Sequence, residues 1–171
     1  MMRYSHRRGL LKNRLPVILM SLFLILVSFF VVALRPQPII PKSISKKVSF
    51  TIYVPSDKSY PISKSSIKYL SDNGVLTFSA GVPKSKVSFS EQAIPEAFHD
   101  SNQIYPALLS RLNEYSEIET TLGAVALTHP TELKGAQSAV VKTSDTLIFI
   151  RPVASFTDEE WKHFISQLER Y

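Results

Sequence analysis

No cysteine occurs among the 171 residues, which excludes disulfides, thiolate nucleophiles, Cys-ligated zinc and a lipidated-cysteine anchor together. Glycine is nearly as scarce, five residues spread over the whole chain, so no glycine-rich loop is present to cradle a phosphate. Nor is there an Asn-x-Ser/Thr sequon, a lack that fits a bacterial envelope better than a glycosylated ectodomain. Acidic residues are missing from the first 35 positions, where six of the twenty Lys and Arg lie. The remaining fourteen cations face fourteen acids, so everything after Arg35 is neutral overall and the basic balance is no nucleic-acid footprint.

What the N-terminal region does have is a charge-free apolar run, residues 15 to 34, bounded by Arg14 and Arg35. A helix of that length rises about 30 Å, the thickness of the hydrocarbon core of a bilayer. Pro16 falls in its first turn, where a backbone N–H has no partner to lose. Arg7, Arg8, Lys12 and Arg14 outnumber Arg35 and Lys42 near the two ends, which predicts the N-terminus in the cytoplasm and the C-terminal part outside. The alternative is a cleaved leader, residues 1–33, ending at Val31-Val32-Ala33. The run is longer than the roughly 7 to 15 residues of a signal-peptide core, and the anchor is the favoured reading. The predicted organisation is a basic cytoplasmic tail over 1–14, a transmembrane helix over 15–34, a Pro-rich stalk over 35–47 and one extracytoplasmic domain over 48–171.

The domain reads as α+β, a largely antiparallel sheet with two packed helices. Alternation predicts a strand from Val48 to Val54. Asn73-Gly74 between Ile67, Tyr69 and Leu76, Phe78, Ala80 predicts a hairpin, 66–72 with 75–80, on a two-residue type I′ turn. A further strand is expected over 86–92, a helix over 103–115 from Ile104, Leu108, Leu112 and Tyr115, then strands near 117–121, 124–128, 137–142 and 146–151. The apolar run ending at Ile150 is expected in the middle of the sheet. Thr157 and Glu160 form a Thr-x-x-Glu capping box with Phe156 as staple, and Trp161, Phe164, Ile165 and Leu168 make one core-facing helical stripe.

Chemistry-bearing residues are present without a chemistry-bearing pattern. His6 lies in the cytoplasmic tail. His163, one turn after Glu159 and beside Lys162, has the pattern of a solvated helix face. His99, Asp100, His129 and Glu91 are the set from which a loop-assembled hydrolase site would have to be built. Ser65-Ser66-Ile67-Lys68 has bare Ser-x-x-Lys spacing without accessory motifs and is expected as surface strand and loop. Glu117 and Glu119 share a strand face, and Glu159-Glu160 belong to the cap. No catalytic, metal or cofactor site is therefore assigned. Residues 36–92 carry eight Lys against three acids, and residues 93–171 six basic residues against eleven acids. This +5 and −5 split makes a basic patch if folding preserves it, and the expectation is that antiparallel packing mixes the halves.

Phe50 to Pro55, the Tyr60-Pro61 loop, Ser66 to Gly81, Phe89 to Pro95 and the closing stretch from Thr146 to Leu168 together resemble the small membrane-tethered extracytoplasmic domains of bacteria. Some of those are joined to anti-sigma-type anchors, and the pattern is loosely similar to the PsbP-type α/β/α sandwich. The resemblance implies a non-enzymatic binding or interaction module in the cell envelope, its partners the lipid bilayer and another envelope protein or a wall or lipid component. The alternatives are an anchored hydrolase and a structural subunit of an envelope complex.

Overall fold

The computed structural model describes residues 39–83, 85–100, 103–111, 115–128 and 135–171. The predicted tail and span lie outside them. Among the described residues no helix is long and apolar enough to cross a membrane. Residues 39–171 form one compact unit.

That unit is α+β. A short helix α1 (Lys42–Ser45) and strand β1 (Tyr53–Pro55) precede a 3₁₀ turn over Lys64–Ser66 and the strands β2 (Lys68–Leu70), β3 (Val75–Val82) and β4 (Ser85–Ala93). Helices α2 (Ala97–Asp100) and α3 (Ile104–Arg111) come next, followed by β5 (Tyr115–Thr120), β6 (Gly123–Thr128), β7 (Ser138–Lys142) and β8 (Thr146–Pro152). Helix α4 (Asp158–Ser166) and strand β9 (Leu168–Arg170) close the chain. Seven strands make one antiparallel sheet in the order β2-β3-β4-β8-β7-β6-β5, and β1 pairs with β9 in a separate ribbon. The apolar run Leu147–Ile150 is central, as its continuous hydrophobicity predicts.

Period-two alternation sorts the strands onto two faces. Leu76, Phe78, Phe89, Ile148 and Ile150 share one core with Trp161, Phe164 and Ile165 of α4. Ala126, Val140 and Leu147 point to the other face and pack with Leu109 of α3. The two apolar helices therefore cover opposite sides of the sheet. Helix α4 carries the predicted capping box: Glu160 N–H donates to Thr157 Oγ1 at 3.2 Å and Thr157 N–H to Glu160 Oε2 at 2.8 Å. Phe156 staples Trp161 with ring centroids 4.9 Å apart.

Several local expectations are corrected. The hairpin closes with Leu70 opposite Val75, so Ser71-Asp72-Asn73-Gly74 form a four-residue loop instead of a two-residue turn. Shifting the partners by two keeps every side chain on its own face, and it frees Ser71 and Asp72, poor strand formers, to turn. Gly74 takes φ +64°, the left-handed step that ends the loop. The stretch 48–54 is a strand only from Tyr53, because it crosses the sheet as a cover rather than joining it. Thr51 fixes it there, donating its N–H and hydroxyl to Asp145 Oδ2 at 2.9 and 2.7 Å and accepting from Thr146 Oγ1 at 2.7 Å. The Pro-rich stretch is not extended throughout: α1 forms within it and Ile40 is fully buried. Helix α3 spans Ile104–Arg111, and Tyr115 belongs to a strand. Leu168, read as the last residue of the helical stripe, opens β9 and stays buried there.

The strand order bears on the expected mixing of charge. The sheet is two consecutive meanders, β2-β3-β4 and β5-β6-β7-β8, joined by the β4–β8 pair. Within the sheet β2, β3 and β4 therefore lie at one end and β5, β6 and β7 at the other, while the β1–β9 ribbon and the β4–β8 pair bring the two halves of the chain together.

Candidate functional site

The helix α3 side of the sheet is covered over β6, β7 and β8 by Tyr105, Leu108 and Leu109. Over β2, β3 and β4 that face carries Lys68, Thr77, Ser79, Ser88 and Ser90, with the paired Leu70 and Val75 at the end beyond Lys68 and Thr77. There the described residues leave the sheet open as a groove of about 660 Å³. Register builds its floor: Lys68 pairs with Thr77, Thr77 with Ser90 and Ser90 with Phe149, while Ser79 pairs with Ser88 and Ser88 with Arg151. Phe78 and Phe89 turn their rings into the opposite core, stacked at 4.6 Å, and meet the groove through their main chain.

Lys68 stands on β2 at one rim and Arg151 on β8 at the other, both exposed. Neither makes an ion pair among the described residues, and the hydroxyls of Thr77, Ser88 and Ser90 have no hydrogen-bond partner among them. Among the described residues the lining contains no carboxylate and no imidazole. Lys86 lies on the same face of β4 as Ser88, whereas Glu117 and Glu119 share that face at the far edge, on β5. Lys68 and Lys86 thus lie toward one end of this face and Glu117 and Glu119 at the other edge, with Arg151 on the central strand β8 and Lys142 on β7 between them.

The Ser-x-x-Lys stretch takes part in this groove as scaffold. Ser66 Oγ donates to the Ser63 carbonyl at 2.6 Å and accepts from Ser79 N–H at 2.9 Å, fastening the 3₁₀ turn to β3. Ser65 Oγ sits 3.2 Å from Ser63 Oγ, so its neighbour is another hydroxyl and not the Lys68 amine.

The hydrolase set is placed differently. Glu91 is fully buried on the α4 face, in phase with Val87 and Phe89 and between Leu76 and Ile148 of the neighbouring strands. Tyr53 N–H donates to its Oε2 at 3.2 Å, its Oε1 has no partner among the described residues, and burial pushes its pKa up to about 8. Phe98 of α2 packs with the cluster on the other face. His129 and the side chains of His99 and Asp100 lie outside the described residues. His163 is exposed on α4 and borders a smaller cleft of about 210 Å³ with Tyr60, Glu160 and Phe164. Beside it, hydrogen bonds from Ser59 hold the Asp57 carboxyl below its ordinary range, with a smaller contribution from His163. Among the described residues no three His, Asp or Glu are grouped to hold a metal.

In the sequence Ser88 and Ser90 stand out only within Ser88–Pro95, the polar end of a strand leaving the sheet through Pro95, and Thr77 and Arg151 do not stand out at all. The available signal was two successive strands, 75–82 and 85–93, each polar on alternate residues. Such alternation ordinarily means a solvated face, and only the register and the limit of α3 turn it into a groove. Comparison with family models, with curated proteins and with solved structures gives no match.

Proposed function

We propose that this chain is a single-pass membrane protein whose extracytoplasmic α+β domain acts as a non-enzymatic binding module in the cell envelope, with the groove between Lys68 and Arg151 as its binding surface. The observation that carries the reading is the groove itself: hydroxyls and two cations that have no partner or counter-charge among the described residues, on the half of a sheet face that no described helix covers. Hydrogen-bond donors and fixed charge suit recognition, and bond cleavage by acid and base would need a proton-transferring pair in the same lining. The apolar run 15–34 supplies the anchor, and residues 35–39 alone separate it from the first core residue, Ile40.

Cosedimentation tests the module. The full-length chain, purified in a zwitterionic detergent, is mixed with isolated bacterial envelope material and pelleted. Wild-type protein is expected in the pellet and the Lys68→Glu/Arg151→Glu variant in the supernatant. Equal pelleting of the two would overturn the groove as the binding surface.

A further inference from the structure

We infer that the groove takes an acidic glycan, a chain of hydroxyl-bearing sugar units with carboxylate or phosphate groups along it; this deepens the binding-module reading and rests on it.

The charge of the site comes first. Lys68 and Arg151 form the rims and Lys86 continues the same face, with no acid among the described lining residues, so the complementary ligand is an anion. Size comes second. The rims are three strands apart, about 14 Å at the usual strand spacing, and a residue pair apart along the strands. One small ion reaches both cations only if both long side chains lie flat toward the middle, whereas a chain of several units lies across the floor and meets each rim with a separate negative group. A volume of about 660 Å³ fits an extended ligand of this kind.

The floor then selects among polyanions. Thr77, Ser88 and Ser90 offer hydroxyls that both donate and accept and have no partner among the described residues. A glycan brings the matching hydroxyls. An acyl chain would desolvate them without replacing their hydrogen bonds, at a cost for each. An acidic peptide adding as a strand would use a sheet edge, and this groove lies on a face. Phe149, half-buried beside α3, supplies an apolar surface at the end of the Lys68–Thr77–Ser90 row, enough for one sugar face.

The test uses the full-length chain in zwitterionic detergent and four probes measured by titration calorimetry: hexagalacturonate, neutral maltohexaose, inorganic phosphate and phosphatidylglycerol vesicles, the last with chain reconstituted in phosphatidylcholine. Hexagalacturonate is expected to bind. Lys68→Ala and Arg151→Ala should each weaken it about tenfold, the worth of one charge-assisted hydrogen bond. Raising the salt should weaken wild-type binding more steeply than that of either variant. Ser88→Ala/Ser90→Ala should weaken it too while leaving the salt dependence unchanged. Lys162→Ala, on the exposed side of α4, should change nothing, and near-UV circular dichroism checks that every variant is folded. Binding of maltohexaose with equal affinity would overturn the acidic character while leaving the module reading standing. Phosphate binding as tightly as hexagalacturonate would overturn the extended ligand, and tight binding confined to vesicles would overturn the glycan in favour of a headgroup. Hexagalacturonate binding that survives both cation substitutions would overturn the assignment to this groove.

Discussion

Glu91 shows how one residue can be legible in position and illegible in state. Its place in the alternation Val87, Phe89, Glu91 put it on the core face, yet a carboxyl in a strand ordinarily reads as a surface group. Buried with Tyr53 N–H as its hydrogen-bond partner, it is held neutral, its pKa raised from 4.5 to about 8 by loss of solvation. The raised folded pKa means that the native state holds a proton the unfolded chain has lost between those values. The contribution to stability is therefore fully present below about pH 4.5, declines as pH rises, and is gone above about 8. Urea melts of a Glu91→Gln variant should lack this decline, and at pH 9 the variant should be more stable than wild type. Parallel pH profiles for the two would overturn the buried neutral carboxyl. Asp145 runs the other way: burial raises its pKa, and hydrogen bonds from Thr51 and Thr146 outweigh that and hold it low, so its contribution is lost on acidification.

At the scale of elements, the closing helix was the most legible because all its signals are local. The capping box, staple and apolar stripe lie within Phe156–Ile165 and act through contacts one turn apart. Trp161→Ala removes a fully buried side chain and should cost about 3 to 5 kcal/mol. Thr157→Ala removes the cap alone and should cost about 1 kcal/mol. His163→Ala, exposed on the same helix, should stay within about 0.5 kcal/mol. Urea melts check the series, and a Trp161→Ala variant as stable as wild type would place the stripe outside the core. The β1–β9 ribbon was illegible for the opposite reason. Three-residue strands have no period to detect, and their pairing is set by a contact between Tyr53 and Arg170, more than a hundred residues apart. The groove belongs to the same class: Lys68, Ser88 and Arg151 are ordinary surface residues until the register aligns them, and no local rule shows where α3 stops.

For the whole molecule, the boundary of the folded unit is the point at which composition misled most. Three prolines between Arg35 and Pro41 and a Ser/Lys-rich stretch after them read as a stalk up to residue 47, because neither helical nor strand period appears. Single apolar residues in such a stretch carry no periodic signal, yet Ile40 is fully buried and Ile44 packs beside the same core. The carbonyl of Ile40 also accepts from the Tyr171 hydroxyl at 3.0 Å, tying the first described residues to the last. A soluble fragment 39–171 should therefore fold cooperatively, and a fragment 48–171, cut where composition suggests, should be less stable. Losing Ile40 leaves a vacated core position, an effect of about 2 to 5 kcal/mol, and the Tyr171 hydrogen bond adds about 1 kcal/mol. Urea melts of the two fragments at one pH measure the difference directly. Equal midpoints would mean that residues 39–47 only rest on the domain, and the folded unit would then begin at Val48 as the alternation of the sequence implies.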